Sequence, residues 1–259
     1  MLSSAMSSNV EKEAYSFYDT YTVDSDIDIK LPRTKIQFKK LDNGFAYFRE
    51  DSEHNTIEKS IPSMKSIQVT IAPVLPINLP AKKTNGLIFL RLDKQILVTP
   101  ESNVEISIKV PIEIGVFIKS ELSSDMLDVI TCEPMHSRFG LYGVPDGGNL
   151  CMYSKVSQIY DKSPEPYVWA KMKITIKNEL KQGVKIGKFV FPITAHKVYY
   201  KQKSTEVHID DLTARVYSDI SGENMELVKT VFATAGGDWQ ISDAGTDSST
   251  SFVMDKGFD

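Results

Sequence analysis

Two cysteines and one histidine are the residues of this sequence that most resemble a set of metal ligands. Cys132 and His136 are separated by three residues, and Cys151 follows later in the chain. Zinc binds thiolate and imidazole groups in tetrahedral geometry, and a structural zinc site has four ligands. A second close pair is missing here, because His196 and His208 lie far along the chain. We therefore expect no metal and no other cofactor, and we interpret both cysteines as buried, inert thiols.

A glycine-containing turn is the second feature that suggests chemistry. Residues 144–149 have the sequence VPDGGN, a composition typical of tight turns. Backbone amides in such a loop can bind an anion. However, no helix follows, and the glycine patterns of nucleotide-binding loops are missing. We therefore interpret this segment as the turn of a β-hairpin.

Polar and aromatic residues flank that turn. They are Arg138, Tyr142, Asp146 and Tyr153. If the turn lies at one end of a β-sandwich, these side chains can line a ligand cleft. The alternative is an exposed hairpin that carries ordinary polar residues. We take these four as the candidate ligand-binding residues, and the sequence identifies no catalytic residue.

A stretch of mixed charge at residues 49–59 surrounds another predicted turn. Paired carboxylates in such a stretch can act in acid–base catalysis, although a solvated hairpin end has the same composition. The sequence has no nucleophile-elbow, zinc-protease or kinase motif. We therefore predict a non-enzymatic binding or interaction module, whose partner is an unknown protein or small-molecule ligand. The alternative is a hydrolase or sugar-acting enzyme that uses carboxylates from distant strands.

The elements that position these residues are predicted to be β-strands. In residues 105–119, apolar side chains occupy alternate positions, which places one face in a core and the other in water. Lys109 and Glu113 belong to the water-facing set. At about 3.3 Å per residue the run approaches about 50 Å, which is too long for one flat strand. Pro111 and Gly115 predict a bend, where the chain can pass from one sheet to another.

Two shorter patterns also predict local structure. Asn43 and Gly44 lie between alternating strands and predict a type I′ hairpin turn. The alternation that includes Val207 and Ile209 changes phase at Asp210 and Asp211, which predicts a β-bulge. Helix signals are poor, with short candidates only at residues 10–21 and 124–130.

These patterns together predict an all-β protein. We expect an antiparallel β-sandwich, built as one extended lobe or two fused lobes, with little helix. Residues 1–24 are expected to form an N-terminal extension, and residues 25–232 a β-rich domain. If that domain has two lobes, they divide near residues 161–166. Residues 233–259 are expected to form an acidic tail that can end in an edge strand.

The net charge of −4 is concentrated in one segment. Residues 233–259 contain five Asp and one Lys, so the remaining chain is neutral. A neutral body gives no electrostatic reason to expect nucleic acid or an anionic membrane surface as partner. The sequence has no apolar run near the ~20 residues that span a bilayer, and its first residues do not resemble a signal peptide. We expect no membrane insertion and a cytoplasmic protein.

Several segments, taken in order, carry a resemblance to one family. They are residues 48–51 (FRED), 71–80 (IAPVLPINLP), 111–117 (PIEIGVF) and 139–153 (FGLYGVPDGGNLCMY). In this order they resemble an archaeal family of uncharacterised proteins, known as a domain of unknown function. The resemblance covers roughly residue 26 to the last residue, and it implies an archaeal, cytoplasmic protein with one fold over that length. It implies no activity, so no functional residue is transferred.

Overall fold

The computed structural model describes residues 15–76, 84, 86–119, 124–132, 138–159, 164–233, 238–243 and 251–259. The chain forms two compact units. The smaller unit consists of Met1–Ser16 and Asp24–Lys65, and the larger unit of Phe17–Val23 and Ser66–Asp259.

Strands account for most of the described residues, and we number them in chain order. They are β1 (Asp19–Val23), β2 (Ile27–Leu31), β3 (Thr34–Leu41), β4 (Gly44–Asp51), β5 (Thr56–Pro62), β6 (Ile67–Val74), β7 (Leu87–Val98), β8 (Ser102–Pro111), β9 (Glu113–Lys119), β10 (Ser124–Ile130), β11 (Arg138–Tyr142), β12 (Asn149–Val156), β13 (Trp169–Asn178), β14 (Val184–Pro192), β15 (Val198–Lys201), β16 (Val207–Ile209), β17 (Asp211–Asp219), β18 (Gly222–Thr230), β19 (Trp239–Asp243) and β20 (Ser251–Met254). A 3₁₀ turn, Ile193–Ala195, follows β14.

The smaller unit is an antiparallel meander in which β2, β3, β4 and β5 pair in sequence order. Its buried aromatic pair is Phe38 and Tyr47, which lie opposite each other on β3 and β4 with ring centroids 5.3 Å apart. The predicted β3–β4 hairpin is confirmed, but its type was predicted wrongly. Asp42 and Asn43 form the two-residue loop, and neither has the positive φ that a type I′ turn requires. Gly44 instead begins β4, where a Cβ would collide with the backbone of β5.

The larger unit contains three sheets. The first has the order β1-β6-β9-β10, and the second has the order β11-β12-β7-β14. The third has the order β19-β15-β16-β13-β17-β18-β20, with β8 along the other edge of β13. The second sheet contacts the third through β7 and β12 against β8 and through β14 against β20, while β6 of the first sheet contacts β15 and β19.

The predicted all-β architecture with packed antiparallel sheets and little helix is confirmed. Parallel pairs also occur, since β12 pairs with β7 in parallel, and β13 pairs in parallel with β16 and β17. Residues 124–130, which have a weak helix signal in the sequence, form strand β10 instead. Pairing with β9 supplies the backbone hydrogen bonds of that segment.

The long alternating run passes between two sheets, as its proline and glycine predict. β8 pairs with β13 in the third sheet, whereas β9 pairs with β6 and β10 in the first. Ile108 and Ile114 are fully buried, so the apolar phase stays in the core on both sides of the bend. The prediction that Glu113 faces water is wrong. It is only 4% exposed and accepts a hydrogen bond from the Thr131 hydroxyl (2.9 Å).

A bulge at Asp210 absorbs the change of phase that the sequence predicts. Lys171 of β13 pairs with His208, and Ile174 of β13 pairs with Leu212. The segment from Lys171 to Ile174 of β13 therefore pairs with the segment from His208 to Leu212, which is one residue longer. One extra residue on one of two paired strands defines a β-bulge.

The bulge turns the Asp210 side chain into the interior, where the residue is 0% exposed. Its carboxylate accepts hydrogen bonds from the Tyr199 hydroxyl (2.8 Å) and from the backbone N–H groups of Lys197 (2.9 Å) and Phe232 (3.1 Å). Hydrogen bonds to a carboxylate are stronger than neutral ones. We therefore assign Asp210 a structural role, in which it ties three separate segments together.

Candidate functional site

A cleft of about 590 Å³ in the larger unit is the best candidate for a ligand site. Ligand-binding clefts in proteins typically have volumes of about 300–1,000 Å³. Its lining comes from β7, from β11 and the following turn, from β14, and from the segment after β20. The lining residues are Phe89, Arg91, Leu141, Tyr142, Gly143, Val144, Lys188 and Lys256.

A row of cations crosses the sheet beside this cleft. Arg91 of β7 is in register with Lys188 of β14 on one side and with Lys155 of β12 on the other. Residues in register on adjacent strands share a face and lie about 5 Å apart. Like charges in such pairs destabilise a sheet. The row therefore has an unfavourable electrostatic energy, which an anion bound on the same face would reduce.

The pKa of Lys188 depends on its burial and on the charges around it. Burial lowers the pKa of Lys188, the carboxylate of Asp259 opposes that change, and the charge of Arg91 lowers the pKa further. A bound anion would raise the pKa of Lys188, as the carboxylate of Asp259 does. It would stabilise the ammonium form of the side chain.

A bulge in β7 makes room for the chain segment that follows β20. Ile186 pairs with Ile96 and Lys188 pairs with Arg91, so four residues of β7 lie opposite Gly187 alone. The backbone N–H of Gly187 donates instead to the carbonyl of Phe258 (2.8 Å). The segment after β20 is thereby held along β14.

The same segment brings Lys256 to the cleft. The backbone N–H of Lys256 donates a hydrogen bond to the hydroxyl of Tyr142 (2.9 Å). Burial raises the pKa of Tyr142 to about 12, so the hydroxyl keeps its proton at neutral pH. Gly143 has φ of 106°, and a Cβ there would collide with the Lys256 side chain. Glycine at position 143 therefore leaves space for the Lys256 side chain beside the turn.

The arrangement can bind an anion but lacks the groups for carboxylate chemistry. Arg91 and Lys256 are exposed, Lys188 is partly buried, and none of the lining residues is Asp or Glu. The carboxylate of Asp255 lies 3.7 Å from the Lys256 ammonium. Such an exposed pair contributes little and exchanges readily with a ligand.

One family model, described as a protein of unknown function (DUF432), matches residues 17–255. The chain belongs to this family. No curated protein and no solved structure matches the chain. The resemblance to a domain of unknown function is confirmed, and the match begins at residue 17, before the point where the resemblance begins.

In this DUF432 protein the residues proposed from sequence lie in different positions relative to the cleft. Tyr142 lines it, and the Tyr153 ring packs against that of Phe89, with centroids 5.4 Å apart. Arg138 pairs with Tyr153 across β11 and β12, and its side chain lies outside the described part of the structure. Asp146 is exposed in the turn and is not one of the lining residues.

The cations that define the cleft were missed by sequence reasoning. Arg91 and Lys188 each interrupt an otherwise apolar stretch of the sequence. That interruption is a signal from which the two cations could have been identified as candidate functional residues. Their proximity depends on pairing between β7 and β14, which are far apart along the chain. Lys256 lies in the segment that was interpreted as part of an acidic tail.

The charged stretch at residues 49–59 forms the β4–β5 hairpin of the smaller unit. One carboxylate oxygen of Asp51 accepts hydrogen bonds from the backbone N–H groups of Glu53 (2.9 Å) and Asn55 (2.9 Å). The exposed His54 ring lies 2.8 Å from the carboxylate of Glu50, which raises the pKa of His54. These contacts stabilise the turn and agree with a solvated hairpin end.

The proposed thiol and imidazole ligands do not form a cluster among the described residues. Cys132 and Cys151 are both buried and do not form a disulfide, and His136 lies outside the described residues. Burial raises the pKa of Cys151 to about 11, so its sulfur is a neutral thiol at pH 7. In the described ranges, no three His, Cys, Asp or Glu residues are placed to hold a metal ion.

No helix among the described residues is both long enough and apolar enough to span a membrane.

Proposed function

We propose that this protein is a non-enzymatic binding module that holds a small anionic ligand in the cleft between β7, β11 and β14. The observation that carries the proposal is the convergence of Arg91, Lys188 and Lys256 on one cleft with no acidic lining residue. Three such donors can each make a charge-assisted hydrogen bond to one anionic group. The volume of the cleft, about 590 Å³, suits a small molecule.

The expected affinity for a simple anion is modest. A hydrogen bond to a charged group contributes about 1.5–3 kcal/mol, so three contribute about 5–9 kcal/mol. Association costs at least about 4 kcal/mol. The remainder is at most about 1–5 kcal/mol, which corresponds to a dissociation constant of about 1 mM at the tight end and weaker otherwise. Because Arg91 and Lys256 are exposed, salt screens them, and the affinity falls as ionic strength rises.

The alternative function, a hydrolase or sugar-acting enzyme, requires two carboxylates at a cleft. Asp210 and Asp211 do not supply them, since each accepts a hydrogen bond from the backbone at the third sheet. The other described buried acids, Glu113 and Asp128, lie on β9 and β10 of the first sheet and do not line the cleft. No observation in the described residues favours the enzyme over the binding module.

We also propose that the protein acts in the cytoplasm and that the family resemblance extends to an archaeal source. The presence of Cys132 and Cys151 as buried thiols, without a disulfide between them, supports the first part. Thiols are kept reduced in the cytoplasm of most cells.

Thermal unfolding in the presence of pyrophosphate tests the proposed function. At ten times its dissociation constant, a ligand stabilises the native state by about 1.4 kcal/mol. For a protein of this size that raises the melting temperature by about 3–6 °C. The comparison uses sodium chloride at the same ionic strength, so that general screening cancels.

Two variants and a matched control locate the effect. Arg91→Gln and Lys188→Gln are expected to reduce the pyrophosphate-induced shift by more than half. Lys185→Gln removes an exposed cation from the same strand as Lys188, opposite Leu97 and away from the cleft, and is expected to keep the full shift. An equal shift in all four proteins, or none in the wild type, would contradict the proposal.

A further inference from the structure

We propose that the natural ligand of the cleft is an amphiphilic phosphate monoester, whose phosphate binds the cations and whose apolar group contacts Leu141 and Val144. The inference rests on the proposed function and names the ligand class that the same site takes. It follows from the chemistry of two groups of lining residues, the cationic wall (Arg91, Lys188 and Lys256) and the apolar wall (Leu141 and Val144).

The cationic wall favours a phosphate over a carboxylate. Arg91, Lys188 and Lys256 supply three positive groups to one cleft. A phosphate monoester has three terminal oxygens and nearly two negative charges at neutral pH, whereas a carboxylate has two oxygens and one charge. A carboxylate would therefore leave at least one cation without an anionic partner. Arginine also binds phosphate with two parallel hydrogen bonds.

The apolar wall of the cleft is largely open to water. Leu141 is 42% exposed and Val144 is 64% exposed, and both line the cleft. Phe89, which also lines the cleft, packs its ring against that of Tyr142, with centroids 6.4 Å apart. Burial of exposed apolar surface contributes about 25 cal/mol per Å². An inorganic anion would leave this wall in water, whereas an organic substituent would cover it.

A series of soluble alkyl phosphates tests the inference. Inorganic phosphate, methyl phosphate and butyl phosphate are titrated, and binding is followed by isothermal calorimetry or by protein NMR. Each fully buried methylene is expected to tighten binding by about fourfold. The three additional methylenes of butyl phosphate, if partly buried, should tighten its binding about tenfold relative to methyl phosphate, and by no more than about sixtyfold. Equal affinities across the series would overturn the inference.

Variants separate the two walls. Leu141→Ser and Val144→Ser are expected to reduce the gain from chain length and to leave the affinity for inorganic phosphate within twofold. Leu97→Ser is the control, because Leu97 is 66% exposed on β7 but does not line the cleft. Arg91→Gln is expected to weaken every member of the series at least fivefold. Loss of chain-length dependence in Leu97→Ser as well would contradict the assignment of the wall.

Failure of the inference and failure of the proposed function give different results. If inorganic phosphate binds through Arg91 and Lys188 but longer chains bring no gain, the binding module stands and the ligand class is wrong. If no phosphate compound binds, both are wrong. Co-sedimentation with phosphatidylcholine vesicles that contain phosphatidic acid identifies the source of the phosphate. Binding that depends on Val144 indicates a lipid, and binding confined to soluble esters indicates a metabolite.

Discussion

Replacement of Arg91 by glutamine should make the ligand-free protein more stable while it weakens anion binding. Arg91 is in register with a cation on each side, Lys188 on β14 and Lys155 on β12. Among the described residues, no carboxylate forms an ion pair with it. Glutamine keeps most of the side-chain length and removes the charge, so the substitution relieves two repulsions and breaks no ion pair with a described residue.

The magnitude follows from the size of cross-strand charge interactions. A directly opposed pair of charges changes stability by about 0.2–1 kcal/mol. Two relieved pairs, reduced by the exposure of Arg91 and Lys155 to solvent, give about 0.5–1 kcal/mol. For a protein of this length the melting temperature should rise by about 1–4 °C. The rise should disappear at high salt, because the repulsion is screened.

The assay is thermal unfolding of the wild type and the variant at low and high ionic strength, without phosphate. Lys185→Gln is the control, because its opposite residue is Leu97 and no like charge is in register with it. Its melting temperature should change by much less than that of Arg91→Gln. A lower melting temperature for Arg91→Gln, or a rise that high salt does not reduce, would refute the cation row as a source of strain.

Three further predictions concern pH, the Lys256 segment and the buried glutamate. Burial lowers the pKa of His196 to about 4, below the value of about 6.5 in an unfolded chain. The unfolded state therefore binds the proton first, and up to about 3 kcal/mol of stability is present above pH 6.5 and lost as the pH falls to 4. Denaturant unfolding across this range should show a smaller loss for His196→Phe; an unchanged loss would contradict the assignment. Tyr142→Phe leaves the Lys256 N–H without its acceptor, so it should cost about 1 kcal/mol in unfolding experiments and weaken phosphate binding; a silent substitution would mean that the hydrogen bond does not position Lys256. Glu113→Ala should destabilise the protein by about 1–3 kcal/mol, because the partly buried Thr131 hydroxyl loses a hydrogen bond to a buried carboxylate. Lys109→Ala removes a cation–π contact with Trp169 (5.6 Å) and should cost less than about 1 kcal/mol; equal melting temperatures for the two would contradict the burial of Glu113.

Alternation in the sequence predicted strands well where one face of a strand is buried. The β8–β9 run keeps its apolar residues in the core through the change of sheet, as the spacing of Pro111 and Gly115 suggests. The same rule failed at Glu113, which alternation assigns to water. β9 is a central strand between β6 and β10, and its side chains are buried on both faces from Glu113 to Val116. An alternating pattern does not reveal a polar residue that is buried and forms a hydrogen bond in the interior.

The part of the candidate site formed by residues close together in the sequence could be predicted. The part formed by pairing of distant strands could not. The turn after Tyr142 follows from glycine and proline chemistry, so one residue of the cleft was found from the sequence. The neighbouring positions of Arg91 and Lys188 follow from the pairing of β7 with β14, and one sequence does not specify which distant strands pair. Lys256 reaches the cleft because a bulge admits the segment after β20, which is also a tertiary feature.

Chemical-shift mapping of backbone amides during a titration with phosphate tests the central claim most directly, because it locates binding without any substitution. Binding in the cleft predicts the largest changes at Gly143, Val144, Lys188 and Lys256, with saturation at one site. Lys185, on the same strand as Lys188 but outside the cleft, should change little. Saturable changes confined to another part of the protein, or small unsaturated changes spread over all lysines, would contradict an anion-binding cleft.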